Sequence, residues 1–213
     1  MSREDSGTTS TERSRMVERQ LRRRGIEDER VLAAMEEVPR ELFLPEDMRD
    51  RAYRDGALRI GEGQTMSQPW IVACMAQLLE LKGDETVLEV GTGSGYAAAV
   101  LSRICGEVIT IERFESLAEG ARQVLSELGY DNVEVRVGDG AKGAPDRAPF
   151  GGISVTATAL DAPPAPLFEQ LAPGAALVCP VDRAGRELLM RYRDGQEEAI
   201  VPVRFVPLVA DEP

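Results

Sequence analysis

A chain of 213 residues can bury one core of ordinary size, so a single domain is the expectation. Its formal charge of −12 argues against a phosphate-backbone partner, because nucleic-acid binders carry a basic footprint. The complete absence of histidine removes Ser-His and Cys-His nucleophilic catalysis, histidine metal sites and imidazole acid–base chemistry.

No apolar run reaches the roughly eighteen residues of a membrane span, and no signal-peptide pattern opens the chain. Cys74, Cys105 and Cys179 are odd in number, far apart and each in an apolar setting. They read as buried thiols of a reducing, cytoplasmic compartment, with no metal-ligand spacing among them. Residues 1–11 (MSREDSGTTST) are polar and predict an unordered leader, with one domain over residues 12–213. Glu12 to Arg24 predicts a helix with Met16, Val17 and Leu21 on one face. Its cations Arg19, Arg22, Arg23 and Arg24 lead up to Gly25, where they suit the helix macrodipole.

A second helix is predicted over Glu27 to Val38, ended by Pro39, and Leu42 to Leu44 form a packing plug before Pro45. Ala52 to Pro69 has no clear period and is rich in glycine and polar residues. A segment of that length without regular structure is usually functional in a compact domain. It leads straight into an apolar helix, Trp70 to Leu81. Ser67 fits the N-cap of that helix, with Pro69 in its first turn, and capping is compatible with a functional role.

Thr86 to Glu112 (TVLEVGTGSGYAAAVLSRICGEVITIE) is the centre of the chain. An apolar, β-branched run ends in a loop with Gly91, Gly93 and Gly95. An Ala-rich helix then runs to Cys105, and a second strand, Val108 to Ile111, ends on Glu112. This is a βαβ unit suited to a nucleoside, with Glu112 placed to accept hydrogen bonds from two ribose hydroxyls. Its G-x-G-x-G spacing, with Glu89 two residues ahead of the first glycine, differs from the dinucleotide G-x-G-x-x-G. It resembles the first motif of class I S-adenosylmethionine-dependent methyltransferases.

The alternation continues with a helix from Phe114 to Leu128, closed by Gly129, and a strand from Val133 to Val137. Gly138-Asp139-Gly140 lies at that strand's carboxyl end, where open α/β sheets bind ligands, and Asp139 could bond an adenine amino group. A strand from Ile153 to Thr156, a short helix from Leu167 to Leu171 and a strand from Ala175 to Val181 follow. Asp194-Gly195 between Glu187–Arg193 and Ala199–Val206 signals a hairpin, so at least one terminal strand is antiparallel.

GQTMSQP at Gly63 to Pro69, VLEVGTGSGY at Val87 to Tyr96, GDG at Gly138 to Gly140 and RFVPLV at Arg204 to Val209 together resemble protein-L-isoaspartate O-methyltransferases. So does VPRELFLP at Val38 to Pro45, and the order holds across nearly everything after the leader. The resemblance implies an α/β, Rossmann-like, doubly wound seven-stranded mixed sheet in three α/β/α layers, with N-terminal helices and the last two strands exchanged in order relative to most class I methyltransferases. It implies S-adenosyl-L-methionine as cofactor, held by Gly91, Gly93, Ser94 and Gly95 at the methionine end and Glu112 at the ribose, with Glu89 and Arg113 also among the cofactor-binding residues. Asp139, with Gly138 and Gly140 beside it, would lie at the adenine, and Gln64, Thr65, Met66 and Ser67 would bind the cofactor, Thr65 to Ser67 closing over the reaction centre. Ser67 matches the family's active-site serine, with Val155, Thr156 and Val206 beside the substrate. The partners implied are isoaspartyl peptides and flexible protein segments, met by a monomer without nucleic acid or membrane. Two departures stand out. Gly151 replaces an aspartate, where only a local hydrogen bond is expected to change. Thr158-Ala159-Leu160 replaces Ala-Ala-Pro, where peptide preference is expected to differ.

The chemistry suits a chain without histidine. Methyl transfer from a sulfonium is an in-line displacement, and an isoaspartyl α-carboxylate is already ionised at neutral pH, so no general base is required. Two other readings keep part of this picture. One is a homologue that methylates aspartate in a single precursor peptide; the other is a non-catalytic S-adenosylmethionine-binding protein, for which the GQTMSQP block would have no use.

Overall fold

A computed structural model describes residues 3–211 of the chain. The first helix, α1 (Arg3–Met16), covers the stretch predicted to be an unordered leader, of which residues 1–2 lie outside the described residues. The rest of the leader is helical instead. One end of α1 is fixed by tertiary contacts, and a helix propagates readily from an established turn. Arg13 donates to the carbonyls of Glu36 (3.2 Å) and Glu37 (2.8 Å) and to the Tyr53 hydroxyl (3.0 Å), and Met16 is buried. The backbone changes pitch through a π turn at Val17–Leu21 and a 3-10 turn at Arg22–Arg24, then stops at Gly25 with φ of 87°. The next helix, α2 (Glu29–Glu37), is capped by the Asp28 carboxylate, which accepts from the Arg30 and Val31 amides.

The stretch read as irregular contains a short antiparallel hairpin, β1 (Leu58–Gly61) and β2 (Gln64–Met66). Glu62 and Gly63 at its tip both take positive φ, 47° and 69°, the requirement of a two-residue hairpin turn. Helix α3 (Pro69–Leu78) starts from Gln68, and no side chain caps it. The capping role expected of Ser67 is therefore not realised. Pro69 at the first helical position brings no N–H that needs a partner.

Then follow β3 (Thr86–Val90), α4 (Tyr96–Leu101), β4 (Glu107–Glu112), α5 (Glu115–Glu127), β5 (Val133–Val137) and β6 (Phe150–Val155). The chain continues through β7 (Ala159–Leu160), α6 (Ala165–Glu169), β8 (Leu171–Arg183), β9 (Arg186–Arg193) and β10 (Gln196–Pro202). Seven strands form a continuous mixed sheet in the order β10-β9-β8-β6-β3-β4-β5, and the two-residue β7 adds an eighth beside β8. The strands from β5 to β8 along this path are parallel. β9 and β10 are antiparallel through the Asp194-Gly195 hairpin and follow chain order at their edge, as the resemblance implies.

Alternation along the strands separates two cores. Val87 and Val108 face the larger one, under helices α1 to α5; Leu88, Val90, Ile109 and Ile111 face the smaller one, against α6. Packing as well as hydrogen bonding is involved at Gly151. A Cβ there would lie 2.5 Å from Cβ and Cγ of Glu85, whose carboxylate accepts from the Lys82 and Gly83 amides.

Candidate active site

The chain runs outward from β3 to β4 and β5, then returns to β6 on the other side of β3. Open α/β sheets bind ligands at the carboxyl ends of strands beside such a switch point. A cavity of about 280 Å³ lies there. Val90 and Gly91 at the end of β3, Ile111 to Phe114 at the end of β4 and Thr156 and Ala157 just after β6 form its floor. Gln64 to Ser67 close one side and Val206 to Val209 the other.

Each loop glycine has its own reason. A Cβ on Gly91 (φ 97°) would lie 2.3 Å from Thr156 Oγ1, and that hydroxyl bonds the Gly91 carbonyl at 2.7 Å. One on Gly95 (φ 85°) would press at 3.3 Å on Ala121 and Leu125 of α5. Gly93 (φ 54°) faces Ile60 of the hairpin at 3.2 Å, so a side chain there would strain the loop and push on β1 before it reached the cavity. Of the three, Gly91 and Gly93 reach the cavity wall and Gly95 does not.

Glu112 is 5% exposed and on the wall. One carboxylate oxygen accepts from the Gly93 amide at 2.8 Å, the other from the Phe114 amide at 3.0 Å. A carboxylate has about four acceptor sites, so two remain for a ligand's hydroxyls. This is the feature that fits a nucleoside cofactor.

Glu89 belongs beneath the loop, not on the cavity wall. Wholly buried, it accepts a hydrogen bond from Thr110 Oγ1 at 2.6 Å, and Thr110 shares another at 2.6 Å with Thr92. Its second oxygen has no hydrogen-bond partner among the described residues. Burial, partly offset by the Thr110 hydroxyl and reinforced by the charge of Glu112, pushes the Glu89 carboxyl up to about 8.

Asp139 and Gly138 likewise lie off the wall, while Gly140 is on it. The Asp139 side chain accepts from the Ala141 amide at 3.0 Å and, through its other oxygen, from the Asp211 amide at 3.0 Å. Asp211 in turn pairs with Arg113 (3.0 Å) and Lys142 (3.1 Å), and Arg113 also bonds the Val209 carbonyl. Those two cations, Lys142 first, hold the Asp211 carboxyl below its usual range. Residues 206–211 therefore form a strap across the cavity. It is bonded to the departing loop as well, through Thr158 N–H to Val206 O and Leu208 N–H to Thr158 O, both 2.8 Å.

Ser67, Thr156 and Val206 meet at the cavity; the Val155 side chain is buried in the smaller core and does not reach it. Ser67 Oγ has no hydrogen-bond partner among the described residues, whereas the Ser67 carbonyl accepts from Arg40 at 2.7 Å. Sequence reasoning missed Thr92, Tyr96, Phe114 and the strap residues Pro207 to Val209 on the wall. RFVPLV marked the strap's position without showing its contacts. Cys74, Cys105 and Cys179 are buried free thiols, and the described residues hold no cluster of metal ligands.

Residues 11–213 match the family model described as protein-L-isoaspartate(D-aspartate) O-methyltransferase. A protein-L-isoaspartate O-methyltransferase of Pelotomaculum thermopropionicum is 54% identical over 213 residues, 98% of this chain and 93% of the relative. Protein-L-isoaspartate O-methyltransferase 1 of Rhodopseudomonas palustris is 51% identical over 215 residues, 98% of this chain and 87% of the relative. Among solved structures, a protein-L-isoaspartate O-methyltransferase superimposes with a TM-score of 0.81 at 30% identity; the match covers 92% of this chain and 65% of that longer one. A Plasmodium falciparum chain solved with S-adenosyl-L-homocysteine has the same fold, with a TM-score of 0.80 at 24% identity over 93% of this chain and 99% of its own.

Proposed function

The chain belongs to the protein-L-isoaspartate O-methyltransferase family, and we propose that the cavity between Glu112 and Ser67 is where its reaction takes place. It transfers a methyl group from S-adenosylmethionine to the free α-carboxylate of L-isoaspartyl residues in proteins, which begins their repair. The observation that carries the site assignment is one cavity wall with a carboxylate that has acceptor capacity left and a serine hydroxyl with no partner.

The residues present suit the cofactor, which supplies a methyl group on a sulfonium. Glu112 would accept the ribose hydroxyls while its other lone pairs hold Gly93 and Phe114. Gly91, Gly93 and Ser94 would border the methionine end. Ile111, Phe114, Gly140 and Val209 would flank the adenine. Arg113 and Asp139 act on the strap, and Glu89 and Gly95 shape the loop from behind.

On the substrate side, Ser67 would donate its hydrogen bond to one carboxylate oxygen and leave the other aimed at the methyl carbon. Gln64, Thr65, Met66, Thr156 and Val206 would border the peptide. Orientation of this kind can supply roughly 7–11 kcal/mol, and no base is needed. Once the ester has formed, the following backbone nitrogen attacks its carbonyl and expels methanol, closing a succinimide. A carboxylate displaced by one methylene in the backbone favours flexible client segments. We propose that residues 12–213 act as one domain, as a cytoplasmic monomer; no described helix is long and apolar enough to cross a membrane.

Replacing Ser67 by alanine tests the assignment. Turnover should fall about 10- to 100-fold, the equivalent of one hydrogen bond to a charged group. Cofactor affinity and melting temperature should hold, since Ser67 caps nothing. A loss of stability with turnover intact would make Ser67 a structural residue.

A further inference from the structure

Arg40 has no measurable exposure, yet it pairs with no carboxylate among the described residues. Its neighbour Glu41 is engaged elsewhere, by Arg13 and the Tyr53 hydroxyl. The Arg40 guanidinium donates through Nε to the Ala52 carbonyl at 2.8 Å and through Nη2 to the Ser67 carbonyl at 2.7 Å. Its carbon stands 4.7 Å from the centre of the Tyr96 ring, and Nη1 has no hydrogen-bond partner among the described residues.

A buried guanidinium without a counter-ion is a costly way to tie two loops together, because two carbonyls and a ring replace its hydration only in part. What it touches suggests what the charge does. Ser67 lies on the substrate side of the cavity. Tyr96 is the first residue of α4, directly after the glycine loop, and is also on the cavity wall. The planar fork thus holds the serine that meets the substrate against the element that carries the cofactor loop. It also leaves an uncompensated positive charge directly behind Ser67.

We propose that Arg40 is a positioning residue: its fork sets Ser67 relative to the first turn of α4, and its unpaired charge draws the anionic isoaspartyl carboxylate to Ser67. The proposal rests on the reading of Ser67 as the group that aims that carboxylate. The two parts act on different constants. Orientation acts on kcat. The charge acts on KM, because methylation neutralises the carboxylate and an attraction to the anion cannot help its transfer step.

Arg40→Lys keeps the charge but loses the fork and the planar stack. It should lower kcat by about 100-fold, the scale of a misplaced reacting group, with KM for an isoaspartyl peptide close to wild type. Arg40→Met loses both, so kcat should fall as far and KM should also rise, by about tenfold or more. S-adenosylhomocysteine affinity should stay near wild type in both. A third measurement needs no variant. With S-adenosylhomocysteine bound, the wild-type enzyme should bind an isoaspartyl peptide whose α-carboxyl is capped as an amide about tenfold more weakly than the free carboxylate. If wild type does not methylate isoaspartyl peptides, the functional reading itself fails. Transfer that is indifferent to both variants, equal binding of capped and free peptides, or kcat falling only in step with S-adenosylhomocysteine affinity and melting temperature would overturn the role of Arg40.

Discussion

Glu112→Ala is expected to weaken S-adenosylmethionine binding by about 3 kcal/mol, on the order of 100-fold in Kd. A ribose contact alone would account for only part of that. The carboxylate also accepts from the Gly93 and Phe114 amides. Without it, the glycine loop and the start of α5 lose a shared partner and the loop's position is no longer defined. Glu112→Gln should fall between wild type and alanine, because one acceptor oxygen remains. Titration calorimetry with S-adenosylhomocysteine reads both variants directly. Unchanged affinity in the alanine variant would remove Glu112 from the site.

The second large effect is on stability, and Glu89 is its source. An acid whose folded pKa is raised stabilises the folded state below its unfolded value, near 4.3, and loses that contribution as pH rises through the folded one. With the Glu89 carboxyl pushed up to about 8, wild-type stability should decline from about pH 4.5 to pH 8 and level off above. Glu89→Gln stays neutral and can still accept from Thr110. The difference between the two proteins should therefore grow in the variant's favour across that window, by on the order of a few kcal/mol at pH 8.5. Urea midpoints measured at half-unit steps of pH test this; profiles that run parallel would mean that Glu89 is ionised in the fold.

These two acids show what was and was not legible in the chain. The spacing of Glu89, the glycines and Glu112 identified the βαβ unit, because a buried strand, a tight turn and a helix each require distinct residue types. Glu112 on the cavity wall was legible from its place at the end of the second strand; that Glu89 lies off the wall was not. Glu89 points beneath the loop because alternation from Val87 puts it on the side of the larger core, where Thr110 meets it. The Asp194-Gly195 hairpin was readable from two residues, whereas β1 and β2 were not, having only four and three residues and a turn at Glu62-Gly63.

Tertiary contacts were the least legible. The strap over the cavity depends on main-chain bonds from Thr158 and on Asp211, far from Arg113, Lys142 and Asp139 in sequence. Nothing in VPRELFLP singles out Arg40, because its partners are carbonyls 12 and 27 positions away, which no side-chain pattern encodes. The stretch of α1 before Glu12 reads as unordered because its own composition is polar, and the contacts of Arg13 and Met16 that fix the helix lie beyond it.

We propose that the Ser67 side of the cavity accepts a carboxylate displaced by one backbone methylene. The most direct test is labelled methyl transfer from S-adenosylmethionine to one flexible peptide made three ways, with L-isoaspartate, L-aspartate or asparagine at the same position. Only the isoaspartyl peptide should take up label, and scrambling its neighbours should change little. Equal labelling of the aspartyl peptide, or a requirement for one flanking sequence, would contradict the account and favour an enzyme dedicated to a single precursor.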